Sequence, residues 1–432
     1  LNPRFYTSCF NLANLFLRCR KVKQAKLFYE RTLVIDPTFV SALNNNGEQE
    51  YKAGALRRAR QLFLKALVFH PTFLPAYVNL AKSQNHVTSK LSAYENFRRG
   101  LKIDGLSGVI FNELGNLFKE DTKCQKSSLY FQKAIILEPQ NVSFHFNFGN
   151  FFQARDILRQ SKKFFCKAVH FAPKNFEVRS NLAVTLMGLG KSLSALLNFK
   201  RALILEPRSV ETYNNLGVLY KEEGNLEKAL HMLEKAVHLR KEYPEANKNI
   251  SFIYLSQGRM TEGFKLMEYR FLEKTNITKP PRIQKYWRTE QHLEGKRIQI
   301  YDEQGLGDTI QFCRYIPILQ KKGALVSLKL KKSLHSLIQT LDQHLTLTTD
   351  FLPINEVDFE APLLSLPYIL GTSGENIPAK GPYLFAEKNR VLRWKNHISK
   401  ETFKIGICWQ GAKTRIDRGR SFPLELFEEI SK

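Results

Sequence analysis

Two stretches of this sequence gather residue types that could do chemistry. The first is Asp302-Glu303-Gln304-Gly305-Leu306-Gly307-Asp308-Thr309, where two glycines lead into a carboxylate. Glycine permits a tight turn and a close approach of backbone to a ligand, and the free N–H groups of a helix start favour an anion. A carboxylate at the end of such a loop can accept a proton from a hydroxyl; before a helix, Asp308 can equally serve as its cap. By itself the motif is weak, because a glycine turn that only lets strand and helix pack closely has the same sequence. The second stretch holds Gln410, Gly411, Lys413, Arg415, Arg418, Arg420 and Ser421, which alone reads as a solvated basic loop. The six cysteines, Cys9, Cys19, Cys124, Cys166, Cys313 and Cys408, form no C-x-x-C pair. No disulfide framework, zinc site or other metal site is expected, and the simplest reading is small buried hydrophobes in a reducing cytoplasm.

The elements that must position the glycine loop follow from its flanks. Arg297–Tyr301 reads as a buried strand, Thr309–Gln320 has helical spacing (Ile310, Cys313, Ile316, Leu319), Gly323 ends that helix, and 324–330 reads as the next strand. A strand-loop-helix-strand order predicts a parallel, doubly wound sheet, whose ligands sit beyond the carboxyl ends of the strands. A further strand is expected at Lys404–Trp409, ahead of the basic loop.

Upstream, the sequence repeats every 34 residues. Pro37, Pro71, Pro139, Pro173 and Pro207 keep that register, with Gly105 in the one slot that lacks proline. Eight residues before each slot stands an aromatic: Tyr29, Phe63, Phe97, Phe131, Phe165 and Phe199, with Leu233 in the seventh copy. Two small-residue series share the period, Ala13, Gly47, Ala81, Gly115, Gly149, Ala183, Gly217 and Ala25, Ala59, Ala93, Ser127, Ser161, Ala195, Ala229. Helices approach closely only where side chains are small, the aromatic fills the space beside the contact, and proline stops the second helix. These are the requirements of a stacked helix–turn–helix unit, and the pattern resembles the tetratricopeptide repeat (TPR) family. An eighth, variant unit at Ile250, Tyr254, Gly258, Gly263 and Met267 closes the series and leads into Pro280-Pro281.

The α/β stretch carries a second resemblance. Trp287, the glycine loop through Phe312, Pro317, 361–367, Asn376-Ile377-Pro378, Pro382-Tyr383-Leu384, 405–411 and 417–424 form an ordered set. The set resembles a bacterial family that fuses TPRs to a glycosyltransferase-like domain, over about residue 250 to the end. It is similar, more distantly, to heptosyltransferases and other family 9 glycosyltransferases of GT-B fold. The resemblance implies that Asp308 is the base for an acceptor hydroxyl. It also implies that Gln304, Gly305, Gly307 and Thr309, with Gln410, Gly411, Lys413, Arg420 and Ser421, hold the diphosphate of a nucleotide-sugar donor. That donor would be a substrate, and no cofactor is implied.

The resulting expectation is an α-solenoid of TPR helix pairs (1–279), a linker (280–295), a Rossmann-like N-terminal half of a GT-B enzyme (296–400), and the start of an incomplete second Rossmann-like domain (401–432). Because the ordered motifs stop at Lys432, a fragment or a truncated relative is expected. Two functions stand open. One is a cytoplasmic glycosyltransferase whose repeats recruit a protein or glycan acceptor. The other is a non-catalytic scaffold that binds a protein or peptide on the concave face of the repeats, where Asn44, Asn45, Asn46, Asn147, Asn150, Asn214 and Asn215 either bond a peptide backbone or cap and hydrate first helices. The net charge is +26, of which residues 1–279 carry +20. An acidic partner or an anionic surface would be attracted, but the cations are dispersed along the sequence and read more simply as solvated helix faces. No nucleic-acid module or clustered basic stripe stands out, so nucleic acid is not expected as a partner, and no apolar run is long enough to span a membrane.

Overall fold

The computed structural model describes residues 5–85, 90–120, 125–272, 285–288, 291–378, 381–398, 405–407 and 423–430. They fall into two compact units, Leu1–Leu205 and Glu206–Lys432. The first unit is six helix pairs. These are α1 (Phe5–Arg18) with α2 (Val22–Ile35), α3 (Val40–Lys52) with α4 (Leu56–Phe69), and α5 (Leu74–Asn85) with α6 (Lys90–Ile103). They continue with α7 (Gly108–Leu117) and α8 (Gln125–Leu137), α9 (Val142–Gln153) and α10 (Leu158–Phe171), and α11 (Phe176–Gly188) and α12 (Ser192–Leu205). Each first helix packs on its own second helix, each second helix packs on the next first helix, and the first helices touch one another from α3 to α11. The pairs therefore stack with first helices on one face and second helices on the other.

The packing explains the 34-residue series. Tyr29, Phe63, Phe131, Phe165 and Phe199 are completely buried, as is each member of the second small-residue series. A Cβ added to Gly47 would lie 2.6 Å from the Phe63 ring, and the same clash recurs at Gly115 with Phe131 and at Gly149 with Phe165. Where serine replaces alanine its hydroxyl is bonded: Ser127 Oγ donates to the Gly115 carbonyl at 2.7 Å, and Ser161 and Thr185 hydroxyls lie 3.2 Å apart. In four of the six pairs the described turn takes a left-handed residue, a conformation that glycine adopts without steric cost. Gly54 and Gly190 take it with φ of 81° and 71°, while Arg20 and Asp156 adopt it at 59°. First-helix starts are capped by Asn141 and Asn175, whose side chains accept from Ser143 and Val178 N–H.

The second unit begins with two more pairs, α13 (Val210–Glu222) with α14 (Leu226–Leu239) and α15 (Pro244–Ser256) with α16 (Met260–Met267). The last helix is shortened and runs into a 3-10 turn, Glu268–Leu272. A four-stranded parallel sheet follows, built from β1 (Arg297–Tyr301), β2 (Leu325–Lys329), β3 (Thr346–Thr348) and β4 (Phe359–Pro362) in the order β3-β2-β1-β4. Ile298, Ile300, Leu328 and Ala361 pack with Ile316, Leu319 and Leu366 in its core. Gln299, fully buried in β1, donates to Thr348 Oγ1 and accepts from the Leu352 N–H.

Three sequence expectations change. The helix after the glycine loop starts at Leu306 rather than Thr309, and it is broken. It consists of α17 (Leu306–Phe312), a 3-10 turn over Cys313–Tyr315, and α18 (Ile316–Lys321). Pro317 causes the break, having no N–H for the preceding turn. Cys19 and Cys166 are exposed rather than buried; only Cys9 and Cys313 are buried among the described cysteines. Burial pushes the Cys313 thiol up to about 12. The strand expected at Lys404–Trp409 falls largely outside the described residues, and its described part, 405–407, is irregular.

Candidate functional site: an asparagine row and a plugged glycine loop

The first helices place an asparagine at the same position in nearly every pair. In the first unit these are Asn11, Asn45, Asn79, Asn147 and Asn181, with Glu113 in the fourth pair; in the second unit they are Asn215 and Asn249. Four of them are tied back to the preceding pair. Asn79 Nδ2 donates to Asn44 Oδ1, Asn147 Nδ2 to Asn112 Oδ1 and, in the second unit, Asn249 Nδ2 to Asn214 Oδ1, each at 3.0 Å. Asn45 Nδ2 donates to Asn14 Oδ1 at 3.3 Å, beside a 2.5 Å bond from the Tyr29 hydroxyl to that oxygen. The accepting Asn44, Asn112 and Asn214 are buried, whereas Asn45, Asn79, Asn147 and Asn249 are half-buried.

Chemically, each tied asparagine has spent one N–H on its neighbour. The Asn45 carbonyl accepts from Asn44 Nδ2 at 3.4 Å and the Asn249 carbonyl from Lys221 Nζ at 3.2 Å. On Asn79 and Asn147 the second N–H and the carbonyl have no other partner among the described residues, a donor and an acceptor side by side on a fixed amide. That is the complement of a peptide unit, and it is indifferent to the peptide's side chains. The capping alternative for these asparagines does not hold for the tied ones, since their partners are other asparagines. The period of Asn11, Asn45 and Asn79 was a signal available in the sequence, and the sequence reading took only scattered asparagines from it.

In the second unit the glycine loop lies at the carboxyl end of β1. Gln304, Gly305 and Gly307 are exposed and Thr309 is buried. Asp308 Oδ2 accepts from the Gly305 N–H at 3.0 Å, and Thr309 Oγ1 reaches the Gly305 carbonyl at 3.4 Å. Asp308 therefore fastens the start of α17, but from the third position inside the helix back to Gly305, not as the cap of a helix beginning at Thr309. The second group, Gln410, Gly411, Lys413, Arg420 and Ser421, lies outside the described residues.

The crevice between β1 and β4, where the strand order reverses, contains side chains from the 3-10 turn after α16. Arg270, 3% exposed, donates from Nε and Nη2 to the two oxygens of Glu303 at 3.2 and 2.9 Å, and from Nη2 to Ser365 Oγ at 2.6 Å. Glu268 binds Arg270 and Ser365 and accepts from the Tyr286 hydroxyl at 3.0 Å. Burial holds the Glu303 carboxyl above its ordinary range against the opposing pull of Arg270, and burial raises the Tyr286 phenol as well. Sequence reading missed this cluster, because no spacing rule links Arg270 to a residue beyond the proline pair.

Comparison with known proteins agrees with the repeat geometry. Residues 198–231 match the family model "Tetratricopeptide repeat". Protein FlbA of Caulobacter vibrioides is 27% identical over 197 residues, 39% of this chain and 32% of FlbA, so the chain spans about a third of the length of that curated relative. Among solved structures, the Cut9–Hcn1 hetero-tetramer of the APC/C is similar with a TM-score of 0.51 at 14% identity, over 64% of this chain and 55% of that one. Yeast Tom70 is similar with a TM-score of 0.46 at 18% identity, over 59% of this chain and 57% of its own. At 14% identity the likeness to the Cut9–Hcn1 assembly concerns fold alone. The chain carries tetratricopeptide repeats, followed by a small parallel sheet.

Proposed function

We propose that this chain is a protein-interaction scaffold that holds an extended peptide on the face formed by its first helices. The observation that carries this reading is the asparagine row. Amides at equivalent positions are pre-oriented by bonds to the preceding pair, and Asn79 and Asn147 each keep a donor and an acceptor for a peptide backbone. Preorganisation matters because an ordered amide loses little further side-chain freedom on binding. The charge of the first helices fits a neutral backbone ligand, since in the first unit they carry four cations and four carboxylates.

The test is selection of binders from a random peptide library with the full chain, followed by anisotropy titration. Changing Asn79 and Asn147 together to Ala is expected to weaken a selected peptide by about 10- to 100-fold, at roughly 1 kcal/mol or slightly more per lost asparagine. Unchanged affinity would remove the row from recognition.

A second reading rests on the sheet. The order β3-β2-β1-β4, all parallel, with a glycine loop after β1, supports reading the sheet as a Rossmann-like half. It supports the glycosyltransferase alternative, with Asp308 as acceptor base and a nucleotide sugar as donor. The Arg270–Glu303–Ser365 contacts fill the switch point and favour the scaffold reading over it. Calorimetric titration with nucleoside diphosphate sugars decides the matter, because heat that disappears in Gly307→Val would favour the enzyme.

A further inference from the structure

The positive charge of the first unit resides on one set of helices. Its six second helices carry 19 Lys and Arg against two Glu, whereas its six first helices are balanced. Folding therefore gathers cations that look dispersed in the sequence. At one position the cation is present in all six pairs: Arg31, Lys65, Arg99, Lys133, Lys167 and Arg201. All six are exposed, and none is in a recorded ion pair among the described residues. Three residues on, and so on the same helix face, stand Val34, Val68, Ile136 and Ile204 in four of the pairs, with Lys102 and His170 in the others. The four aliphatics are 80%, 75%, 75% and 77% exposed. Single exposed aliphatics need no explanation, but a periodic set paired one-to-one with cations does.

We propose that the second-helix face of the first unit docks on a lipid bilayer bearing acidic phospholipids. Charge complementarity selects an anionic occupant, since the second helices of this unit carry a net charge of +17 while its first helices carry no net charge. The aliphatics then select lipid over a nucleic acid: phosphates satisfy Lys and Arg but give Val and Ile nothing, whereas the headgroup–acyl boundary takes both. Along Glu95, Arg98, Arg99 and Lys102 the second helices form an open hollow of about 160 Å³. Fluid headgroups rearrange to fixed cations and need no groove. Among the described residues no helix is long and apolar enough to cross a membrane, so the contact is peripheral. It leaves the asparagine row on the other face open and is independent of whether that row binds peptide.

The test is co-sedimentation of the full chain with phosphatidylcholine vesicles, with and without phosphatidylserine, at low and high salt. Binding is expected only with phosphatidylserine, and weakened by salt. The Lys65→Gln, Arg99→Gln, Lys133→Gln triple variant should lose about fivefold per cation, near 100-fold in all, with an unchanged circular dichroism spectrum. A Val68→Ser, Ile136→Ser, Ile204→Ser variant should lose the binding that survives high salt. Equal binding to neutral vesicles, or full binding by the triple Gln variant, would overturn the proposal. So would sedimentation with duplex DNA while acidic vesicles are ignored, which would reassign the face to nucleic acid.

Discussion

Helix α8 contains, five residues apart, one side chain that the stack depends on and one that it does not. Phe131 is completely buried, 2.7 Å from where a Gly115 Cβ would lie, and its ring pairs with Phe148 and Phe151 at centroid distances of 5.3 and 5.6 Å. Removing a buried phenylalanine costs about 3–5 kcal/mol. Two lost ring pairs, at about 0.5–1.5 kcal/mol each beyond area, push Phe131→Ala to the upper end, about 5 kcal/mol. Ile136, 75% exposed, should tolerate serine within about 0.5 kcal/mol. With a urea slope of about 1–3 kcal/mol/M, the first change moves the midpoint by roughly 2 M or more, and the second barely moves it. Because repeats are held mainly by their neighbours, Phe131→Ala should also split the far-UV dichroism transition into two steps. Equal displacement of the midpoint by the two variants would refute the assignment of inner and outer faces.

Further outcomes follow from the second unit. Arg270→Met should destabilise the sheet by about 3–5 kcal/mol, because it leaves Glu303 buried and uncompensated, and adding Glu303→Leu should recover much of that loss; emission from buried Trp287 reads both. Asp308→Ala should weaken the start of α17 by about 1 kcal/mol, seen as faster amide exchange at Gly305, while Asp308→Asn, which keeps an acceptor oxygen, should preserve most of the protection. Asp342 is held below the usual aspartate range chiefly by the His344 N–H and then Gln320, and Asp358 chiefly by the Arg297 N–H. Depressed acids contribute stability above their unfolded value and lose it as pH falls through the folded one. Asp342→Asn with Asp358→Asn should therefore lower the melting temperature at neutral pH, and the gap to the parent should close as pH drops below about 3.9.

The repeats were legible because the same contact is written six or more times: Gly115 and Phe131 repeat Gly47 and Phe63 at a fixed interval. The first strands were legible for a local reason, since Ile298 and Ile300 alternate with the satisfied Gln299. Long-range polar contacts were not. Arg270 meets Glu303 across the proline pair, and Asn79 meets Asn44 across a whole helix pair, at distances that no local rule fixes. Pro317 was read as part of a motif when its missing N–H already argued for a broken helix. The gathering of cations on the second helices was not legible for a simpler reason: with a 34-residue period, residues evenly spread in sequence can line one side of the stack.

Backbone recognition by the asparagine row is tested most directly by an N-methyl scan of a library-selected peptide. The account predicts that methylating individual peptide nitrogens abolishes binding at alternate positions, because each removes a donor to an asparagine carbonyl, while replacing peptide side chains by alanine changes affinity little. Affinity that survives every N-methyl group and collapses with the side chains would contradict it.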